Sequence, residues 1–231
     1  VAQSGKTDLT VWERSDGRRG PAPAHSREEL AAAAIELAGQ GGLAAVSTRR
    51  IAQRLGVSQS ALYRYVSGRD DVLDLMADVA AGEMDFGVAL TGAVIDDLTA
   101  LGVRAKNVYL KYPWLADIPV EPLRLGPRGI DYLEYALRAM ASVDVSEQVK
   151  LQTVAVLNAL AQQFARAEFA EWTANKSRRT AQVAYVHRAA EAGGHPYLAA
   201  ALAASNRDAE HPGDLFELLL GRVLTGLLAA N

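Results

Sequence analysis

The sequence predicts an all-α protein, on three observations. Its eight prolines fall in only three places, at 21 and 23, between 113 and 127, and at 196 and 212, and proline is barred from helix interiors. The stretches between them are rich in Ala, Leu, Glu and Arg, which are good helix formers. No run of alternating β-branched residues marks a strand.

Each element can be read from its borders. Ser26 and Glu29 form a capping box, Leu30, Ala34, Leu37 and Ala38 recur on one face, and Gly39 to Gly42 end the first helix. Ser47 is a good N-cap for a second helix that stops at Gly56. Ser58 caps a third, predicted to run to Ser67–Gly68, and a fourth starts at Arg69 with Asp70 and Asp71 in its first turn. Further helices are expected near 91–112, 127–142, 145–174, 177–192, 197–205 and 212–229. The longest of them would reach roughly 45 Å.

The stretch from Thr48 to Tyr65 satisfies the mechanical needs of a helix-turn-helix. Ile51, Leu55, Leu62 and Tyr65 can share a core, Ala52 is small where two helices would cross, and Gly56 suits the turn. In such a motif the leading turn of the second helix meets base edges and the first helix meets backbone. Gln59, Ser60 and Ala61 occupy that leading turn, and their side chains suit adenine, either partner of a pair, and a thymine methyl respectively. Thr48, Arg49, Tyr63, Tyr65 and Arg69 are placed to hold phosphates. Arg50 and Arg54 read as distant phosphate partners or as solvated charge, with the second favoured.

Charge supports the same reading. The net charge of −3 argues against nucleic acid, yet residues 1–69 carry ten Lys/Arg against six Asp/Glu, and no acid lies between Ser47 and Arg69. The remainder is acidic, and this asymmetry is what a reader of nucleic acid shows. Enzyme chemistry finds no support: there is no cysteine, no G-x-S-x-G, and the four histidines are scattered. No cofactor or metal is expected. No apolar run is long enough for a membrane span, residues 1–25 lack the core of a signal peptide, and a cytoplasmic address is the expectation. Residues 1–25, with Arg14, Arg18 and Arg19, read as a flexible basic arm, equally a minor-groove contact or a free tail.

The string GLAAVSTRRIAQRLGVSQSALYRYVSGRDDVLDLM resembles the signature of the tetracycline-repressor (TetR) family. Carried across, the resemblance implies that Thr48 and Arg49 start the second helix and that Gln59 to Ala61 lead the recognition helix. Tyr63 takes the place of a phosphate-bonding tyrosine, Tyr65 a position where histidine or tyrosine is frequent, and Arg69 a usually basic one. The implied protein is a repressor with a helix-turn-helix DNA-binding domain at 26–72 and a larger helical ligand-binding and dimerisation domain at 73–231. Its implied partners are a palindromic double-stranded operator, a small-molecule effector and a second copy of itself.

Two sets of body residues follow as candidates. Asn107, Asn158 and Gln162 interrupt apolar helices near Trp114, Tyr132 and Phe164, and an apolar cavity with a few amides is the usual chemistry of a small-molecule site. Phe216, Leu220, Val223, Leu224 and Leu227 form an apolar stripe at helical spacing. Such a stripe reads as core or, because a helix-turn-helix needs two half-sites, as a dimer face.

Overall fold

A computed structural model describes residues 9–14, 25–119, 124–173, 176–205 and 212–229, and every regular element among them is helical. Helix α1, Arg27–Gly41, starts at the expected capping box: the Ser26 hydroxyl accepts from the Glu29 amide at 3.1 Å and the Glu29 carboxylate accepts from the Ser26 amide at 2.9 Å. Gly42 ends it with φ +63°, and a short 3-10 turn, Leu43–Ala45, leads to α2, Thr48–Leu55. Ser47 caps α2 and Gly56 closes it in the left-handed region, φ +68°, which glycine tolerates best.

Helix α3 is shorter than predicted. Ser58 caps it, but the regular helix is Gln59–Leu62, not a run to Ser67. The Arg64 and Tyr65 amides bond to Ala61 and Leu62, three residues back, so the chain tightens there and turns Tyr65 and Val66 into the core. Helix α4, Arg69–Ala81, then packs along α1 and buries Val72, Leu73, Leu75, Met76 and Ala80.

The body follows. Helix α5 is Val94–Lys111, and it starts later than residue 91 because Thr91 and Gly92 wrap the Asp97 carboxylate. That carboxylate accepts from the Thr91 amide and hydroxyl at 3.0 and 2.9 Å and from the Gly92 amide at 3.1 Å. A 3-10 turn, Pro113–Asp117, precedes α6, Pro127–Ala139, which ends short of the expected 142. Helix α7 is Glu147–Thr173, about 40 Å long, and α8, α9 and α10 are Lys176–Glu191, Pro196–Ser205 and Pro212–Leu228.

Two apolar clusters hold the chain. One joins α1 to α4 with Val108 and Trp114; the other joins α5, α6, α7 and α10. Phe216, Leu220 and Leu224 belong to the second, with 1, 0 and 0% of their surface exposed, and Gly102 lets Leu220 approach so closely that a Cβ there would sit 2.3 Å from its Cδ2. These three residues are therefore not a free dimer face, because α10 spends that stripe on α5 and α7 within the chain. Val223 and Leu227 are half-buried.

The arm also departs from expectation. Arg18 and Arg19 lie outside the described residues, but Leu9–Arg14 is packed: Val11 is 0% exposed and Trp12 rests on the first cluster. Two apolar side chains dock a segment whose third, Leu9, stays exposed and whose other residues are polar.

Candidate nucleic-acid interface and ligand cavity

The helix-turn-helix presents its polar residues outward. Gln59 and Ser60 are exposed, Ala61 is half-buried, and Tyr63 is 56% exposed. The Gln59 Nε2 donates to the Thr48 hydroxyl at 3.0 Å, so the recognition helix is tied to the start of α2. The Ser58 and Ser60 hydroxyls share a 2.9 Å hydrogen bond. Thr48, Tyr63 and Arg69 border one shallow notch of about 220 Å³ together with Ser47 and Gly68. Arg49 and Arg50 are exposed beside it, whereas Arg54 forms an ion pair with Glu36.

Two of the expected phosphate holders have other tasks. Tyr65 is buried, and its phenol oxygen accepts from the His25 amide at 3.4 Å, so the ring packs in the core and its hydroxyl is engaged within the domain. Of its two readings, the core one stands. The Arg69 guanidinium donates to the Val46 carbonyl at 2.9 Å and the Leu43 carbonyl at 2.8 Å, so it fastens the turn before α2 to α4. His25 makes a similar tie that sequence reasoning missed: its Nε2 lies 3.1 Å from the Leu55 carbonyl and its Nδ1 3.0 Å from the Glu29 carboxylate. A lone histidine at a helix start carried no signal of this.

The ligand candidates separate into groups. Tyr132, Asn158 and Gln162 line one cavity of about 290 Å³, with Tyr109, Met84, Leu125 and Gly126 around them. The Tyr132 hydroxyl donates to Asn158 Oδ1 at 2.8 Å, and Gln162 Nε2 donates to the Ala116 carbonyl at 3.0 Å. Burial pushes the Tyr132 and Tyr109 phenols above their ordinary range, so both stay neutral. At the edge, Asp78 caps α6 by accepting from the Arg128 and Gly129 amides at 2.8 and 3.2 Å, and Arg124 reaches Asp74 at 2.6 Å.

Trp114 instead lines a larger neighbouring cavity of about 670 Å³, which Tyr109 also borders and which the end of α1 helps to close. Asn107 is exposed and lines neither cavity. Phe164 packs on Phe216, with ring centroids 5.2 Å apart, and is a core residue. Both were expected in the site, and α5 and α7 turn them away from it. Gly126 and Arg124 were not foreseen, because the loop before α6 has no periodicity to follow.

Large apolar side chains remain exposed on the last three helices: Val183 and Tyr185 on α8, Tyr197 and Leu198 on α9, and Leu215 and Leu218 on α10. Among the described residues no helix is long and apolar enough to cross a membrane.

Residues 30–76 match the family described as bacterial regulatory proteins, tetR family, and residues 89–230 match the tetracyclin repressor-like C-terminal domain. An HTH-type transcriptional regulator of Saccharopolyspora erythraea is 31% identical over 132 residues, covering 57% of this chain and 56% of that protein. The HTH-type transcriptional repressor DrrR1 of Streptomyces coeruleorubidus is 28% identical over 223 residues, covering 90% of this chain and 79% of that one. The chain thus spans little more than half of the first relative. Among solved structures, the Streptomyces coelicolor TetR family protein ActR in complex with actinorhodin superposes with a TM-score of 0.75 at 22% identity, over 89% of this chain and 96% of that one. At that identity the likeness speaks for the fold.

Proposed function

The chain belongs to the tetR family of bacterial regulatory proteins, and from that premise we propose that it is a repressor that binds a palindromic operator as a homodimer and is released by a small molecule. The observation that carries this reading is the exposed row of Gln59, Ser60 and Tyr63 beside Arg49, in a stretch free of acids. Gln59 and Ser60 would read base edges, with Ala61 offering a methyl contact. Thr48, Arg49 and Tyr63 would hold phosphates, and Arg69 would add charge to them while keeping its structural bonds.

A second copy is the natural cover for the exposed apolar residues of α8, α9 and α10, and two half-sites on DNA need two readers. Of the predicted dimer residues only the half-buried Val223 and Leu227 stay available; the face that remains open on α10 is Leu215 and Leu218.

The effector site is the cavity at Tyr132, Asn158 and Gln162. Its walls are mostly apolar, its central polar groups are amides and phenols, and the charged Asp78 and Arg124 at its edge are engaged with the start of α6 and with Asp74. This suits a largely apolar molecule with a few hydroxyl or carbonyl groups. ActR, on the same fold, holds actinorhodin. Couplings of about 1–3 kcal/mol would change DNA affinity roughly 5–150-fold.

The test is binding of the full chain to duplexes selected by it from a random library, followed from low to physiological salt. Steep salt dependence with a selected-over-scrambled preference supports the reading. Equal binding to both duplexes contradicts it.

A further inference from the structure

Leu9–Arg14 is fastened at three points. Val11 is fully buried in the cluster that joins α1 and α4. The Trp12 ring lies against Gly126, where a Cβ would come within 2.5 Å of Trp12 Cζ2 and 2.3 Å of Asp78 Oδ1. The Arg14 guanidinium pairs with Asp71, with a second contact of 3.3 Å from Nη2 to Oδ1, and Arg27 Nη2 donates to the Arg14 carbonyl at 2.7 Å.

Trp12 and Arg14 of this segment touch two places that matter. Gly126 is part of the wall of the cavity that holds Tyr132 and Asn158. Asp71 lies in the first turn of α4, and its carboxylate also accepts the amide and hydroxyl of Ser67, in the turn that follows the recognition helix, at 2.5 and 2.8 Å. Helix α4 runs from the one place to the other, and the segment ties the same two places in parallel.

We propose that Leu9–Arg14 is a strap that holds the helix-turn-helix in its DNA-binding orientation and transmits the state of the ligand cavity to it, with Trp12 and Arg14 as its positioning residues. The inference rests on the reading of the chain as a ligand-responsive DNA binder. Gly126 has no side chain to yield, so an occupant pressing on the loop before α6 moves the Trp12 ring directly; close-packed interiors pass on such displacements. The strap then shifts against Asp71 and Arg27 and, through Asp71 and Ser67, the turn that follows the recognition helix. Because coupling is reciprocal, DNA bound at the helix-turn-helix must also steady the cavity wall, which allows a test with no effector in hand.

The experiment is amide hydrogen exchange of the full chain with and without a duplex that the wild type has selected from a random library. In the wild type the duplex slows exchange at 9–14 and at 124–129. Trp12→Ala, checked for unchanged helix content by circular dichroism, binds the duplex about tenfold more weakly and loses the slowing at 124–129. Arg14→Gln, which removes the tie to Asp71 but leaves the core intact, does the same to a smaller degree and carries the test if Trp12→Ala does not fold. A strap that is only packing gives the other outcome: a lower melting temperature with unchanged duplex affinity and unchanged slowing at 124–129, which overturns the proposal. Failure of the wild type to select any duplex overturns the DNA reading itself, and the strap with it.

Discussion

The side-chain amide of Gln59 donates to the hydroxyl of Thr48 at 3.0 Å, joining the first residue of the recognition helix to the first residue of α2. Both residues lie at the surface, so the bond adds little to stability, at most the ~0.5–1.5 kcal/mol of an ordinary hydrogen bond. Its effect is to fix where the rest of the Gln59 amide points. Gln59→Ala is expected to relax preference at one base pair per half-site, with a loss of about 1–3 kcal/mol of discrimination, and Thr48→Val to blur the same pair less. Competition among duplexes changed one pair at a time measures this. An unchanged ranking for Gln59→Ala would place the recognition surface elsewhere.

Tyr63 and Arg49 make different contributions to affinity. Tyr63→Ala weakens binding to every duplex alike and leaves the salt dependence unchanged, since a phenol releases no counterion. Arg49→Ala also weakens all sequences but lowers the salt slope by about one. Arg69→Ala differs from both: it loses two hydrogen bonds to backbone carbonyls and lowers the melting temperature. Titrations at several salt concentrations, beside thermal melts, separate the three.

Tyr132 and Asn158 form the polar centre of the smaller cavity. Tyr132→Phe leaves the Asn158 carbonyl without its donor, which costs about 1–3 kcal/mol when such a group stays dry. The variant should melt lower, keep its duplex affinity in the folded state, and lose the stabilisation that any effector found by thermal shift gives the wild type. Equal stabilisation of both proteins would move the effector out of this cavity.

Two buried carboxylates give acid sensitivity a definite sign. Burial pushes Asp97 up, but the Thr91 and Gly92 donors and the Arg104 charge outweigh it and hold the group below its ordinary value. Asp71 is likewise pushed up by burial and pulled further down by Ser67 and Arg14. A carboxyl so lowered contributes stability that is present above its ordinary value and lost as pH falls through the lowered one. Asp97→Asn should therefore be less stable than the wild type at pH 7, with the difference shrinking below about pH 4. Denaturant melts across that range report it.

The sequence disclosed what is decided locally. Ser26 with Glu29, Ser47 and Ser58 cap their helices because a cap is an interaction between neighbours, and Gly56 ends α2 for the same reason. What stayed hidden depends on distant partners. Tyr65 reads as core or phosphate holder, and the structural part of Arg69 stays unseen, until the His25 amide and the Leu43 and Val46 carbonyls come into view. The stripe of Phe216, Leu220 and Leu224 is equally apolar whether it meets a second chain or α5, and only Gly102 opposite Leu220 decides. Leu9, Val11 and Trp12 are a short apolar group in a polar stretch, too few to show a helical period or which of them would be buried. In the cavity, Tyr132, Asn158 and Gln162 could be grouped in advance because two of them share one face of α7; Asn107 could not be told from them without knowing how α5 is rotated.

Whether Gln59, Ser60 and Tyr63 face DNA is tested most directly by one titration. The wild type is measured against its selected duplex and a scrambled duplex of equal length, across a range of salt. The selected duplex should bind at least a thousandfold more tightly at physiological salt, the lower end for specific readers, with both affinities falling steeply as salt rises. Equal affinities that hardly respond to salt would contradict the assignment of this face to DNA.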